Sequence, residues 1–211
     1  MSARIVLATT NQGKLREFRA LLAAQPQLQQ LDLDSVVVDS AAAGTAEIPE
    51  TGVTFLQNSL LKARAVAAQT GLPAVADDSG LAVEVLGGAP GILSARWAGA
   101  RSSDVNNRRL LLEQLADIPA QHRAAAFVCA ASLVIPGEQA GAPVEFTAEG
   151  RLEGTLLTQE RGEGGFGYDP ILQPIGETRS CAELTLQEKN AISHRGKAFS
   201  ALASRIVEVL G

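Results

Sequence analysis

Adjacent carboxylates are the first residues in this chain whose spacing suggests chemistry. Asp77 and Asp78 follow the apolar run Ala74 to Ala76 and precede Ser79-Gly80-Leu81. Two close acids repel unless a cation sits nearby, and Mg²⁺ favours one or two carboxylates completed by substrate phosphate oxygens. Neighbouring strand residues point to opposite sides, so one of the two acids would face a ligand. A plain Asp-Ser-Gly turn fits the same residues. Glu50-Thr51-Gly52 precedes a helical pattern in which Asn58 and Lys62 lie four residues apart, on one face. Glu50 suits a second metal carboxylate, and Lys62 a partner for phosphate or for an aspartate. Taken alone, these are also ordinary surface charges.

Near the start, Ala8-Thr9-Thr10-Asn11-Gln12-Gly13-Lys14 joins a strand pattern to a helix pattern. Free amides at a helix start attract phosphate; Asn11 can cap, Gly13 permits close approach and Lys14 supplies a point charge. This is not a Walker A loop, because the first glycine and the Ser/Thr after the lysine are missing. A capped strand-to-helix turn fits as well. Late in the chain, Gly162-Glu163-Gly164-Gly165-Phe166-Gly167-Tyr168-Asp169-Pro170 is followed by Lys189 and Ser193-His194-Arg195-Gly196. The chain has six Phe, one Tyr and one Trp, so two rings within one glycine-rich loop suit stacking on a planar base better than core packing, although a flexible surface loop with one buried aromatic fits the same residues.

The elements that must position these groups read as α/β. Ile5 to Ala8 is a strand, and Lys14 to Leu22 a helix with Leu15, Phe18, Leu21 and Leu22 on one side. Val36 to Asp39 is a second strand. Thr54 to Gln69 is a helix stopped at Gly71, and Ala74 to Ala76 a strand ending in acid, where ligands gather in open sheets. Leu81 to Leu86 returns as a further strand, and Gly87 to Gly91 is a loop. Asp104 to Leu115 is a helix with Leu111, Leu112 and Leu115 inward, and Ala125 to Ile135 a central strand. Val144 to Glu149 and Leu152 to Leu157 read as a hairpin around Gly150, and Pro136 to Pro143 as an exposed loop. Thr185-Leu186-Gln187-Glu188 is a capping box, and Ala198 to Leu210 a last helix presenting Phe199, Leu202, Ile206 and Val209.

The 211 residues, 46% hydrophobic and 19% charged, are enough for one sizeable core, and residues 1–211 read as a single domain without repeats or linkers. The apolar start is too short for a signal peptide, and no run approaches the ~20 residues that span a bilayer, so the reading is a cytoplasmic protein without a membrane partner. A net charge of -5 disfavours a stable nucleic-acid partner. Cys129 and Cys181 have no disulfide or zinc spacing and read as reduced structural thiols.

Taken in order, Thr9 to Lys14, Ala76-Asp77-Asp78-Ser79-Gly80-Leu81, Gly87-Gly88-Ala89-Pro90-Gly91, Gly164 to Pro170 and Lys189-Asn190-Ala191-Ile192-Ser193-His194-Arg195 closely resemble the non-canonical purine nucleoside triphosphate pyrophosphatases. These are also called XTP/dITP diphosphatases or inosine triphosphatases. Each motif is weak or moderate alone; five in sequence make a specific signal that runs through nearly the whole chain. The resemblance implies an α/β fold with a long twisted mixed sheet flanked by helices, two lobes with a central substrate cleft, a homodimer and a need for Mg²⁺. It implies that ITP, dITP and XTP are cleaved to monophosphate and pyrophosphate.

By match to the family's motifs, Thr9, Thr10, Asn11, Gln12, Gly13 and Lys14 would hold the triphosphate. Asp78 would be the metal-linked proton acceptor, with Asp77 and Lys62 also catalytic and Ser79 touching substrate. Phe166, Gly167, Tyr168, Asp169, Lys189, His194 and Arg195 would form the nucleoside pocket, flanked by the helix carrying Asn58 and Lys62. Two departures stand out: Thr10 replaces a glycine common among relatives, and Pro49-Glu50 replaces paired acids. The second metal carboxylate is thus Glu50 or, across an altered loop, Glu47, with Glu50 preferred. His194, Arg195 or nearby main-chain amides would donate to the purine 6-oxo group and so reject the 6-amino group of ATP. Competing readings are a kinase or γ-phosphate-releasing NTPase, a non-catalytic nucleotide or RNA-binding module, and a pyrophosphatase for modified pyrimidine nucleotides.

Overall fold

Short β-branched runs buried on both faces are what central parallel strands require, and Ile5–Leu7 (β1) has no residue more than 1% exposed. The structure, a computed structural model, describes residues 3–137 and 141–211. β1 pairs in parallel with Val37–Asp39 (β2), Val6 opposite Val38, and with Ala74–Val83 (β3), Leu7 opposite Val75. Ala124–Ile135 (β4), Val144–Leu156 (β5) and Leu172–Pro174 (β6) complete a six-stranded sheet of order β2-β1-β3-β4-β5-β6. β5 and β6 are antiparallel, Leu156 opposite Leu172, so the sheet is mixed.

Six helices accompany the described strands: α1 (Gln12–Ala23), α2 (Leu33–Val36), α3 (Phe55–Thr70), α4 (Asp104–Gln114), α5 (Leu186–Ile192) and α6 (His194–Leu210). Their ends follow capping chemistry. Thr54 caps α3, whose last turn closes on Gly71 at φ 67°, a conformation open to glycine at little cost. Ser59 of α3 donates to the Ala76 carbonyl at 3.1 Å and lies 2.7 Å from the Ser132 hydroxyl, which docks the helix against β3 and β4.

The chain divides into two compact units, residues 1–78, 130–149 and 195–211, and residues 79–129 and 150–194. Each has its own apolar core. In the first, Val6, Ala63, Val66, Ala74, Ala76 and Val134 pack together; in the second, Leu81, Leu111, Leu115, Phe127, Leu156 and Ile171 do. Cys129 and Cys181 are free and buried, and burial pushes the Cys181 thiol up to about 12. No helix of the described residues is long and apolar enough to cross a membrane.

Three sequence expectations need correction. Val36 closes the short helix α2 instead of opening a strand. The pieces read as Ala74 to Ala76 and Leu81 to Leu86 are one strand through Asp77 and Asp78 as far as Val83, with a 3-10 turn at Glu84–Leu86. The acids therefore lie within a strand, not at its tip. Likewise, Gly150 does not turn a hairpin: β5 runs straight through it, and Gly150, Leu152, Gly154 and Leu156 alternate as its buried positions. The expected loop at Pro136 to Pro143 includes residues 138–140, which lie outside the described residues.

The capping box stands as expected. Thr185 accepts from the Glu188 amide at 3.2 Å, and Glu188 accepts from the Thr185 amide at 2.8 Å. That amide and the Thr185 side chain, with Arg179, hold the exposed Glu188 carboxyl down at about 2. Its contribution to stability is present above the ordinary carboxyl range and is lost as pH falls from about 4.5 towards 2. Thr185→Ala is expected to cost about 1 kcal/mol. Glu188→Gln should weaken the acid dependence of the urea midpoint between pH 5 and 2.5; an unchanged dependence would contradict the assignment.

Candidate functional site

The local alternation of β3 sends its two acids to different partners. Asp77 meets Lys14 Nζ at 3.0 Å and Arg195 Nε at 3.3 Å. Asp78 accepts from Asn58 Nδ2 at 3.0 Å and lies 3.9 Å from Lys62 Nζ. Both acids are almost wholly buried, at 3% and 7% exposure. Their charges are offset by groups from α1, α3 and α6, which is why the strand continues through them.

Lys62 also pairs with Glu50 at 2.6 Å, so one ammonium serves carboxylates from β3 and from the segment before α3. Burial works against the charge of Lys62, yet Asp77, Asp78 and Glu50 more than offset it and raise its pKa. For Asp78, burial is the main influence and, with Glu50, lifts its carboxyl above the usual range despite Lys62 and Asn58. Around Lys62 two carboxylates share one ammonium, and that cluster would gain from one more cation.

The Thr9 to Lys14 segment is shaped by its own side chains. Asn11 caps α1, its Oδ1 accepting from the Gly13 amide at 2.8 Å and the Lys14 amide at 3.3 Å. Thr9 Oγ1 accepts from the Asn11 amide, Gln12 donates to Asp39, and Thr10 is exposed. Arg195 reaches beyond Asp77 to Glu17, a buried acid of α1. Glu17 was not among the residues singled out from the sequence. Its signal was its place three residues after Lys14, on the same helix face.

The second unit assembles the glycine-rich segment around another buried pair. Asp169 Oδ2 accepts from Lys189 Nζ and from the Phe166 amide, each at 2.8 Å. Lys189 Nζ lies 4.8 Å from the Phe166 ring centre, within cation–π reach. Gly165, at φ 71°, has no room for a side chain, because a Cβ would strike Asp169 Oδ2. Of the loop's two rings, Tyr168 is a core residue, contrary to the sequence expectation: it packs in the apolar core of the second unit, its hydroxyl donates to the Ser94 carbonyl at 2.8 Å, and burial pushes its pKa up. The buried His194 ring stacks on Phe127 at 5.0 Å.

Two residues of α4, also not foreseen, clamp the same segment. Asp104 accepts from the Gly167 amide at 2.7 Å, and Arg108 donates to the Gly167 carbonyl at 2.7 Å while pairing with Glu160. Residues 104, 108, 111 and 115 share one helix side with the buried Leu111 and Leu115, a pattern that could have flagged them. Ser79 follows Asp78 in β3, half-buried.

The structure therefore brings Lys14, Asp77 and Arg195 together, and Glu50, Asn58, Lys62 and Asp78 together, within the first unit. Phe166, Asp169 and Lys189 meet in the second. His194 belongs to the second unit and Arg195 to the first.

A mixed α/β sheet carrying buried acid–lysine clusters and a ring-bearing glycine segment narrows the class, and comparison with known proteins identifies it. The profile of the Ham1 family matches residues 5–205, and the chain belongs to that family. It is 57% identical over 208 residues to a Streptomyces coelicolor protein named dITP/XTP pyrophosphatase, covering 99% of both chains. A Frankia alni protein of the same name is 52% identical, with 98% of each covered. Among solved structures, a HAM1 protein from Coxiella burnetii superposes with a TM-score of 0.82 at 40% identity, covering 98% of this chain and 99% of the other. A Mycobacterium abscessus nucleoside-triphosphatase, also titled dITP/XTP pyrophosphatase, gives 0.71 at 45% identity, covering 94% and 98%.

Proposed function

We infer that the protein hydrolyses non-canonical purine nucleoside triphosphates, ITP, dITP and XTP, to the nucleoside monophosphate and pyrophosphate, clearing damaged nucleotides from the precursor pool. The observation that carries this reading is the buried Asp78, flanked by Lys62, Asn58 and Glu50, in a chain 57% identical end to end to a dITP/XTP pyrophosphatase.

Asp78 accepts the proton of a water that attacks the α-phosphorus; the bond to the β-phosphate oxygen breaks and pyrophosphate departs. Lys14 and Lys62 offset charge on the phosphate oxygens. Asp77, itself paired with Arg195, holds Lys14 in place. The Phe166 ring stacks on the purine, and His194 or main-chain amides donate to its 6-oxo group. An adenine amino group would meet those donors with a donor of its own, leaving buried groups unpaired.

The residues present fit a divalent cation. Glu50 and Asp78 already converge on one ammonium in an acid-rich setting, and Mg²⁺ asks for no more than one or two carboxylates. Among the described residues no three His, Cys, Asp or Glu cluster as a metal site, so phosphate and water would complete the shell. When bound there, Mg²⁺ would offset charge on the phosphates and polarise the attacked phosphorus.

We place the enzyme in the cytoplasm as a homodimer, which sedimentation of the purified protein would check. A Mg²⁺-dependent pyrophosphate-release panel of ITP, dITP, XTP, GTP and ATP tests the activity. Release from the first three, at specificity constants at least about 10²-fold above those for ATP, is expected. Equal constants for ITP and ATP would overturn the selectivity, and orthophosphate as product would overturn the reaction.

A further inference from the structure

We propose that Asn58 is a positioning residue that sets the rotation of the Asp78 carboxylate and ties it to the Glu50 segment. The proposal rests on the catalytic reading of Asp78. Asn58 is fully buried, and both ends of its carboxamide are engaged. Its Nδ2 donates to Asp78 Oδ2 at 3.0 Å, and its Oδ1 accepts from the Gly52 amide at 2.8 Å. The reversed carboxamide would set NH₂ against N–H and oxygen against carboxylate, so only one orientation satisfies both partners.

The bond to Oδ2 leaves Asp78 Oδ1 facing Lys62, one turn further along α3, and Lys62 in turn holds Glu50. A single residue, Thr51, separates Glu50 from Gly52 along the chain. Asn58 thus fixes, from one buried point, both carboxylates that would flank the reacting phosphate. The adjoining Val53 amide is held by Gln57 Oε1 at 2.8 Å, so consecutive residues of α3 pin consecutive peptides of the segment.

Gly52 carries the same inference from the other side. A Cβ there would lie 2.6 Å from Asn58 Oδ1 and 2.9 Å from the Asn58 backbone nitrogen. Its φ is not in the left-handed region, so the need for glycine is one of space beside Asn58. Displacing the Asn58 carboxamide would turn Asp78 away from Lys62, and a misplacement on the ångström scale costs about 10²-fold in rate.

The test uses the full chain with Asn58→Ala, Asn58→Asp and Gly52→Ala, each checked for a cooperative thermal transition. Steady-state hydrolysis of ITP is read beside hydrogen exchange at the Gly52 amide in metal-free protein. Asn58→Ala should lower kcat about 10²-fold with KM within about twofold of wild type, and should speed Gly52 exchange at least about tenfold. Asn58→Asp keeps the acceptor for Gly52 but turns a like charge on Asp78, so exchange should stay slow while kcat falls. Gly52→Ala should lower kcat as Asn58→Ala does. Wild-type kcat in Asn58→Ala and Gly52→Ala, or losses confined to KM, would overturn the proposal. If the wild-type protein releases no pyrophosphate, the functional reading fails, and Gly52 exchange in Asn58→Ala alone decides whether the tie exists.

Discussion

Asp78→Asn is expected to lower kcat for ITP by about 10³-fold while leaving nucleotide binding within a few-fold of wild type. The replacement keeps the size of the side chain and an oxygen that can still accept from Asn58. What it removes is the proton acceptor and one carboxylate beside Lys62. Stability should not fall with activity. Burial opposes the charge of Asp78, and Glu50 repels it, so its removal relieves a cost that the fold carries for function. The thermal midpoint of the variant should equal or exceed that of wild type. Near-normal turnover in the purified variant would refute the assignment of Asp78.

The second large effect is on stability. Lys189→Met leaves the buried Asp169 carboxylate without the ammonium 2.8 Å away, in a place where the two side chains are 3% and 6% exposed. Breaking a buried ion pair from one side costs about 3–5 kcal/mol, because the remaining charge has lost both its partner and its water. Asp169 also holds the Phe166 amide, so the ring that stacks on the base would lose its anchor and discrimination between ITP and ATP should narrow. Adding Asp169→Asn should recover part of the stability, since no lone charge is then buried. Urea unfolding of the single and double variants measures this; a loss under about 1 kcal/mol for Lys189→Met would contradict the account.

Helices with strong local signals were legible from the residues. The cap at Thr54, the glycine at 71 and the box from Thr185 to Glu188 all lie within a few residues of what they stabilise. The acid pair was legible as chemistry but not as structure. Asp77-Asp78-Ser79-Gly80 looks like a strand end, whereas β3 continues through it with both acids met by Lys14, Lys62, Asn58 and Arg195 from remote parts of the chain. The sequence offered Lys62 as a partner for an aspartate, but it carries no trace of the other pairings. Gly150 misled for the opposite reason. A glycine between two apolar runs reads as a turn, whereas the unbroken period of two from Gly150 to Leu156 was the better guide. Glu17, Asp104 and Arg108 were passed over because each is an ordinary charged helix residue until its position on the helix face is set against its neighbours.

The central claim is that Asp78, set among Glu50, Asn58 and Lys62, is the group on which hydrolysis of the triphosphate turns. A crystal structure of the protein with Mg²⁺ and α,β-imido-ITP tests it most directly. The triphosphate is expected against Lys14 and Lys62, with its α-phosphorus beside Asp78. Phosphates seated away from Asp78 would contradict it.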